Sequence, residues 1–331
     1  MLTNQPVRTG AALTALVLLA ACGGTGGGLA SGLPPAPPPG PAPTPSPTPT
    51  PTPTSVLPPA HIGLVSSAPF EALGLGHEYR LDSAAAQLVE TVPADRAQTV
   101  AFRYDAARDA YEIVLPGYER GWLRTIYLNG SYGSPASSTG NELSLGESAA
   151  VQPVVVSLVT PGSSLSPYTY TALGFWDGQV LDAQGRQIWD VGQFVYGIPT
   201  AAAEMPLSGS ASYQAEVHGL TDQNDFVGGS ALLSFDFGAG VLSGSLHPLI
   251  SDGWDLSIDP GLYTFKDTVF ARGSTAFSGS FAVPGQPAAA SWFEGSFNGP
   301  QAAELMARWQ APYTVGTVEG TMSGVWLGKR P

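Results

Sequence analysis

The chain has 331 residues, with 13 basic and 26 acidic side chains and a net charge of −13. That balance argues against a phosphate-tracking surface, so nucleic acid is not an expected partner. A single cysteine excludes an intramolecular disulfide and a cysteine-based zinc site.

In chain order, residues 1–8 are a short polar start whose only positive side chain is Arg8, and residues 11–21 are a compact apolar run. The run is too short to cross a bilayer core, which takes about 20 apolar residues. Its length and small-residue ending are those of a cleavable export signal. The ending Leu19-Ala20-Ala21-Cys22 resembles the bacterial lipobox. The resemblance implies cleavage before Cys22, diacylglycerol on its sulfur and acylation of its freed amine, which makes a membrane the expected partner of the N-terminus. Each buried CH₂ of such an anchor contributes about 0.8 kcal/mol, so two or more chains hold stably. Gly23, rather than an aspartate, follows the cysteine. By resemblance to Gram-negative sorting rules this implies a lipid anchor in the outer membrane rather than the inner one.

Residues 22–59 read as a disordered tether. Glycines dominate its start, and 14 of the 27 residues in 33–59 are proline. Proline fixes φ and donates no hydrogen bond, so an extended polyproline II stalk of about 80 Å is expected.

Residues 60–331 are the expected folded part, and the expected class is all-β. Only 83–90 and 301–307 lean towards helix. Candidate strands in 60–200 fall at 98–104, 110–115, 124–129, 154–159, 168–176 and 192–196. From 207 to 327 about eight strands recur. In 210–218 Ala211, Tyr213, Ala215 and Val217 share one face; in 231–237 Ala231, Leu233, Phe235 and Phe237 do; Phe277, Gly279, Phe281 and Val283 do the same further on. Such alternation marks half-buried antiparallel strands. Gly238-Ala239-Gly240 reads as a tight hairpin and 221–225 as a polar turn. Eight antiparallel strands close naturally into a barrel. The pattern breaks near Pro199 and Pro206, dividing an N-terminal sheet at 60–200 from a barrel at 201–331.

Two segments carry a resemblance. Gly295-Ser-Phe297-Asn-Gly299-Pro300-Gln-Ala-Ala303-Glu304-Leu305 resembles the GxFxGPxAxEL signature of the transferrin-binding protein B barrel domain. Tyr196 to Tyr213 resembles that family's passage from handle domain to barrel. The resemblance implies a handle-plus-barrel surface lipoprotein that binds a host or environmental ligand, with iron-carrying proteins, haemoglobin and complement regulators among the family's ligands. That family has two lobes and this chain has one. In the signature, Gly295, Phe297, Gly299 and Pro300 read as fold-making residues, and Glu304 as a group able to hydrogen-bond its own turn.

No nucleophile elbow, zinc-protease pair or phosphate loop is present, so no catalytic residue and no resident cofactor or metal is expected. Four histidines occur, His61, His77, His218 and His247. His218, read as ending a strand on its polar face, and His247, beside Pro248 at another strand end, are the candidates for ligating haem as a bound ligand. Trp254 lies among acids in an expected loop, either as an interface anchor or as a plug over the barrel mouth. The function implied is binding of an external iron or haem carrier, or a small solute, for acquisition. The rival is a structural or adhesive envelope lipoprotein with no uptake role.

Overall fold

The computed structural model describes residues 70–83, 87–92, 99–105, 110–115, 121–124, 141–145, 154–159, 166–181, 184–251, 253, 255–286 and 290–331. Cys22, the tether, His61, the 125–129 part of one expected strand and Trp254 lie outside them.

The fold is all-β, and every strand pairing is antiparallel. The N-terminal part contains β1 (Glu71–Asp82), β2 (Gln87–Val92), β3 (Ala101–Asp105), β4 (Ala110–Val114), β5 (Gly121–Arg124), β6 (Asn141–Leu145), β7 (Val154–Leu158), β8 (Thr171–Leu181) and β9 (Gln187–Gly197). Six of them form a sheet in the order β2-β1-β9-β8-β7-β6, and β3-β4-β5 form a second, three-stranded sheet. The sequence implied a sheet here, and among the described residues a smaller second one accompanies it. Phe70, Val100, Phe102, Ile113 and Leu115 pack with Trp176, Phe194 and Tyr196 of the larger sheet.

The C-terminal part contains β10 (Ser210–Thr221), β11 (Phe226–Asp236), β12 (Val241–Ser251), β13 (Leu256–Ile258), β14 (Tyr263–Val269), β15 (Ala276–Ala282), β16 (Trp292–Asn298), β17 (Glu304–Val315) and β18 (Val318–Lys329). Eight close into a barrel. The order runs β11-β10-β18-β17-β16-β15-β14-β12, pairing of β11 with β12 completes the ring, and β13 is a short addition on β12. The expected hairpin lies between β11 and β12, where Gly238 and Ala239 donate their N–H groups to the Asp236 carboxylate.

Period-two alternation decides which side of each strand faces inward. Tyr213, Ala215 and Val217 of β10 and Ala231, Leu233 and Phe235 of β11 are buried in the barrel core, as the sequence implied. Gln214 and Glu216 of β10, with Ser234 and Asp236 of β11, stand on the exposed side. Apolar inside and polar outside is the reverse of a lipid-facing barrel. Aromatic rings fill the interior. Phe297 lies 4.8 Å from Phe235, Phe265 lies 4.5 Å from Phe293, and Phe293 lies 5.5 Å from Trp326, centroid to centroid. Trp309 and Trp326 are fully buried among them.

Both helical leanings of the sequence are corrected. Residues 87–92 are β2, because β1 offers a strand edge to pair with from Gln87 to Val92, and pairing overrides a weak local preference. Residues 300–302 form one 3₁₀ turn, and β17 starts at Glu304. Gln301 (φ 54°) and Ala302 (φ 56°) sit in left-handed backbone, which no α-helix can continue.

The Trp326 indole N–H has no protein hydrogen-bond partner inside the barrel. Truncation to alanine opens a ring-sized cavity and is expected to cost about 3–5 kcal/mol. Trp326→Phe removes the orphan donor along with part of the ring, so its cost falls well below that. Urea unfolding of both variants checks this; equal losses would contradict it.

Candidate functional site

The six-stranded sheet lies against the outside of the barrel. Leu73, Leu173, Phe175 and Val195 from the sheet pack with Met306, Val325 and Leu327, the outward residues of β17 and β18. Polar clusters close both ends of this seam.

The first end is built by the signature. Phe297 points inward among Tyr213, Phe235, Phe237, Phe270 and Phe277. A Cβ on Gly295 would stand 2.4 Å from the Met306 carbonyl and 2.5 Å from the Phe277 ring, so only glycine admits that ring. Gly299 has φ 73°, and a Cβ there would strike the Tyr170 ring at 2.4 Å. Pro300 then opens the 3₁₀ turn, where its missing N–H leaves no donor unsatisfied.

Beyond that turn Glu304 reaches across the seam. Its carboxylate accepts the backbone N–H of Thr169 at 2.6 Å and of Tyr170 at 2.8 Å. Burial pushes this carboxyl up from its ordinary pKa, and the donated amides partly counter it. The sequence reading placed this bond within the glutamate's own turn; its partners instead lie 135 and 134 residues upstream. Around it the Gly299 N–H donates to the Ile198 carbonyl at 2.9 Å, Thr200 Oγ1 donates to the Gly299 carbonyl at 2.7 Å, and Asn298 Nδ2 donates to Thr171 Oγ1 at 3.1 Å.

At the other end Tyr79 donates to the Thr221 carbonyl at 2.6 Å, and the Glu90 N–H donates to the Asp222 carbonyl at 3.0 Å. His77 lies between Glu90 (Nδ1 to Oε1, 2.7 Å) and Ser323 (Nε2 to Oγ, 3.2 Å). Serine, histidine and carboxylate in that order invite a nucleophile reading. Ser323 is only 1% exposed and lies beneath the sheet, so no substrate carbonyl can approach it. The trio satisfies polar groups that the seam buries. No local signal in the sequence joins residues 246 positions apart.

The two candidate haem ligands lie on different strands. His218 lies within β10 rather than at its end, and His247 lies within β12. β11 runs between them, which sets their strands about 9–10 Å apart across the sheet. The His218 face of β10 is partly covered. Its ring meets Phe175 of β8 and Phe226 edge-on at 6.3 and 6.5 Å. Burial lowers its pKa to about 4. His247 is exposed and holds Asp259 at 3.2 Å. The Gly261 N–H, and then His247, pull the Asp259 carboxyl below its usual range. Among the described residues no three His, Cys, Asp or Glu side chains gather as a metal ion requires.

No protein-family model matches the chain, and no curated protein matches it. Solved structures do. Intact Ap-TbpB, with N and C lobes, is 16% identical over 79% of this chain and 46% of its own, with a TM-score of 0.43. Isotype 1 transferrin binding protein B from serogroup B Neisseria meningitidis is 15% identical over 80% of this chain and 43% of its own, at 0.38. A surface lipoprotein is 12% identical over 79% of this chain and 100% of its own, at 0.31. The chain thus spans about half the length of the two transferrin-binding proteins.

The His218 environment carries a pH dependence. The unfolded imidazole takes a proton near its ordinary 6.5, and the folded one only near 4. The unfolded state therefore binds more protons between those values, and stability falls as pH drops through that window. Its share is about 1–2 kcal/mol between pH 8 and pH 5. The raised carboxyls of Glu304, Glu216 and Asp222 act in the opposite sense, and a His218→Gln variant keeps them. Denaturant unfolding at both pH values is expected to show a smaller acid loss in the variant; identical losses would contradict the account.

Proposed function

We propose that this chain is a lipid-anchored, surface-displayed binding protein of the outer membrane that captures an external carrier of iron or haem. The observation that carries the reading is the order of parts: lipobox at Cys22, proline-rich stalk, N-terminal sheet, and a barrel bearing the Gly295-to-Glu304 signature. Each part has a physical use in that role. Lipid holds the N-terminus, and a polyproline stalk lifts the folded part clear of the headgroups.

The filled barrel sets where recognition takes place. Rings occupy its interior, so a ligand is met on the outside, on loops and on the exposed faces of the sheets. The proteins it resembles include transferrin-binding proteins, which supports an iron carrier as the ligand class. Binding without chemistry also fits the site inventory, since the one serine–histidine–carboxylate set among the described residues is sealed in the seam.

The test uses the full lipidated chain on intact cells. Labelled iron-loaded transferrin, haemoglobin and hemin are each offered before and after protease shaving. Capture of one of them, lost on shaving and lost in Cys22→Ala, is the expected result. A chain that resists shaving and captures none would overturn surface capture and favour an envelope role.

A further inference from the structure

A second place on the molecule is built like a ligand site. Where β1 overhangs the barrel, a groove of about 470 Å³ opens between the sheet and the outer faces of β14, β15 and β16. That volume is in the range of small-molecule pockets. Register shows how it forms. Ala276 faces Ser296 across β15 and β16, and Ser278 faces Glu294 one step along. These side chains are small apart from Glu294, so the floor is low. Glu71 and Leu73 of β1 form one wall, and Val269, 65% exposed, stands at the other.

The floor holds a polar group with nothing to bond. Ser296 is only 8% exposed, and its Oγ has no protein hydrogen-bond partner. A buried hydroxyl left unpaired costs about 1–3 kcal/mol. This Oγ is closed to solvent as it stands, and rotation about the single Cα–Cβ bond turns it to a group seated on the floor, which would gain that bond. Charge adds a second constraint. Two carboxylates border the groove. The Arg308 guanidinium donates to Glu294 Oε1 at 2.7 Å through Nε and 2.6 Å through Nη2. Glu71 is exposed and has no ion-pair partner among the described residues. The walls therefore present apolar surface with an unneutralised negative charge at the rim, on a chain whose net charge is −13.

The geometry points to an alkylammonium ligand: a primary amine on an aliphatic stem, its stem against Leu73, Val269 and Ala276, its ammonium shared between Glu71 and the Ser296 hydroxyl. An ammonium is a compact donor with no acceptor, which matches a hydroxyl and a carboxylate that can both accept. The same chemistry is found in a free diamine and in a lysine side chain of a partner. The inference holds whether or not the chain is displayed at the cell surface.

Calorimetric titration of the full chain with cadaverine, with the tripeptide Gly-Lys-Gly and with neutral pentanol tests it. Binding of cadaverine supports a free amine, and binding of the tripeptide alone supports a partner's lysine. Failure of both at about 10 mM, or equal binding of pentanol, overturns the inference. Ser296→Leu fills the floor and is expected to abolish binding. Ser296→Ala should weaken it about tenfold and Glu71→Gln about threefold, with thermal unfolding as the check on folding. Unchanged affinity in both of these milder variants would also overturn it.

Discussion

A buried carboxylate must be fully hydrogen-bonded or become a liability, and Glu304 meets that condition only across the seam. Its two acceptor bonds come from the Thr169 and Tyr170 amides of the N-terminal part, while its own strand belongs to the barrel. If the sheet lifted away, the carboxylate and both amides would lose these bonds together and would have to be rehydrated. Removing one partner of a buried charged hydrogen bond costs more than the bond's net worth. The signature around it follows from this clamp. Gly299 leaves room for the Tyr170 ring, Pro300 and the left-handed residues Gln301 and Ala302 turn the chain back, and Tyr213 inside the barrel donates to the Ala302 carbonyl at 2.5 Å.

The clamp makes two elements into one scaffold. Apolar side chains fill the middle of the seam, Glu304 closes one end, and the His77, Glu90 and Ser323 set closes the other. Arg308 adds a tie in between, donating to the Gly74 carbonyl at 3.2 Å. A scaffold held this way keeps its outer surfaces in fixed relation, and binding surfaces gain from that because less freedom is lost on association. A barrel packed with its own rings contributes rigidity rather than an internal pocket.

Much of the fold was legible in the sequence, and the reasons are local. Period-two alternation in 210–218 and 231–237 named the inward residues, because a strand's two faces are fixed by its pleat. The hairpin at Gly238 to Gly240 rests on residues whose backbone preferences are strong. What misled was weak propensity: 83–90 and 301–307 leaned towards helix, and a neighbouring strand edge and two positive φ angles decided otherwise. The seam was not legible, because its bonds join residues more than a hundred positions apart. The same holds for His218. Alternation put it on the polar side of β10, correctly, but that side is where Phe175 of the N-terminal sheet covers it. Glu304 was marked by its motif, yet its partner could not be read from the motif.

The N-terminal sheet and the barrel fold as one unit clamped through Glu304. Native-state hydrogen exchange measures this most directly, by following the Thr169 and Tyr170 amides together with those of β8, β9, β17 and β18. A single shared opening is expected for all of them, at the free energy of global unfolding, with a separate, lower opening of β8 and β9 in Glu304→Gln. Independent exchange of the sheet in the unaltered protein, with the barrel still closed, would contradict it.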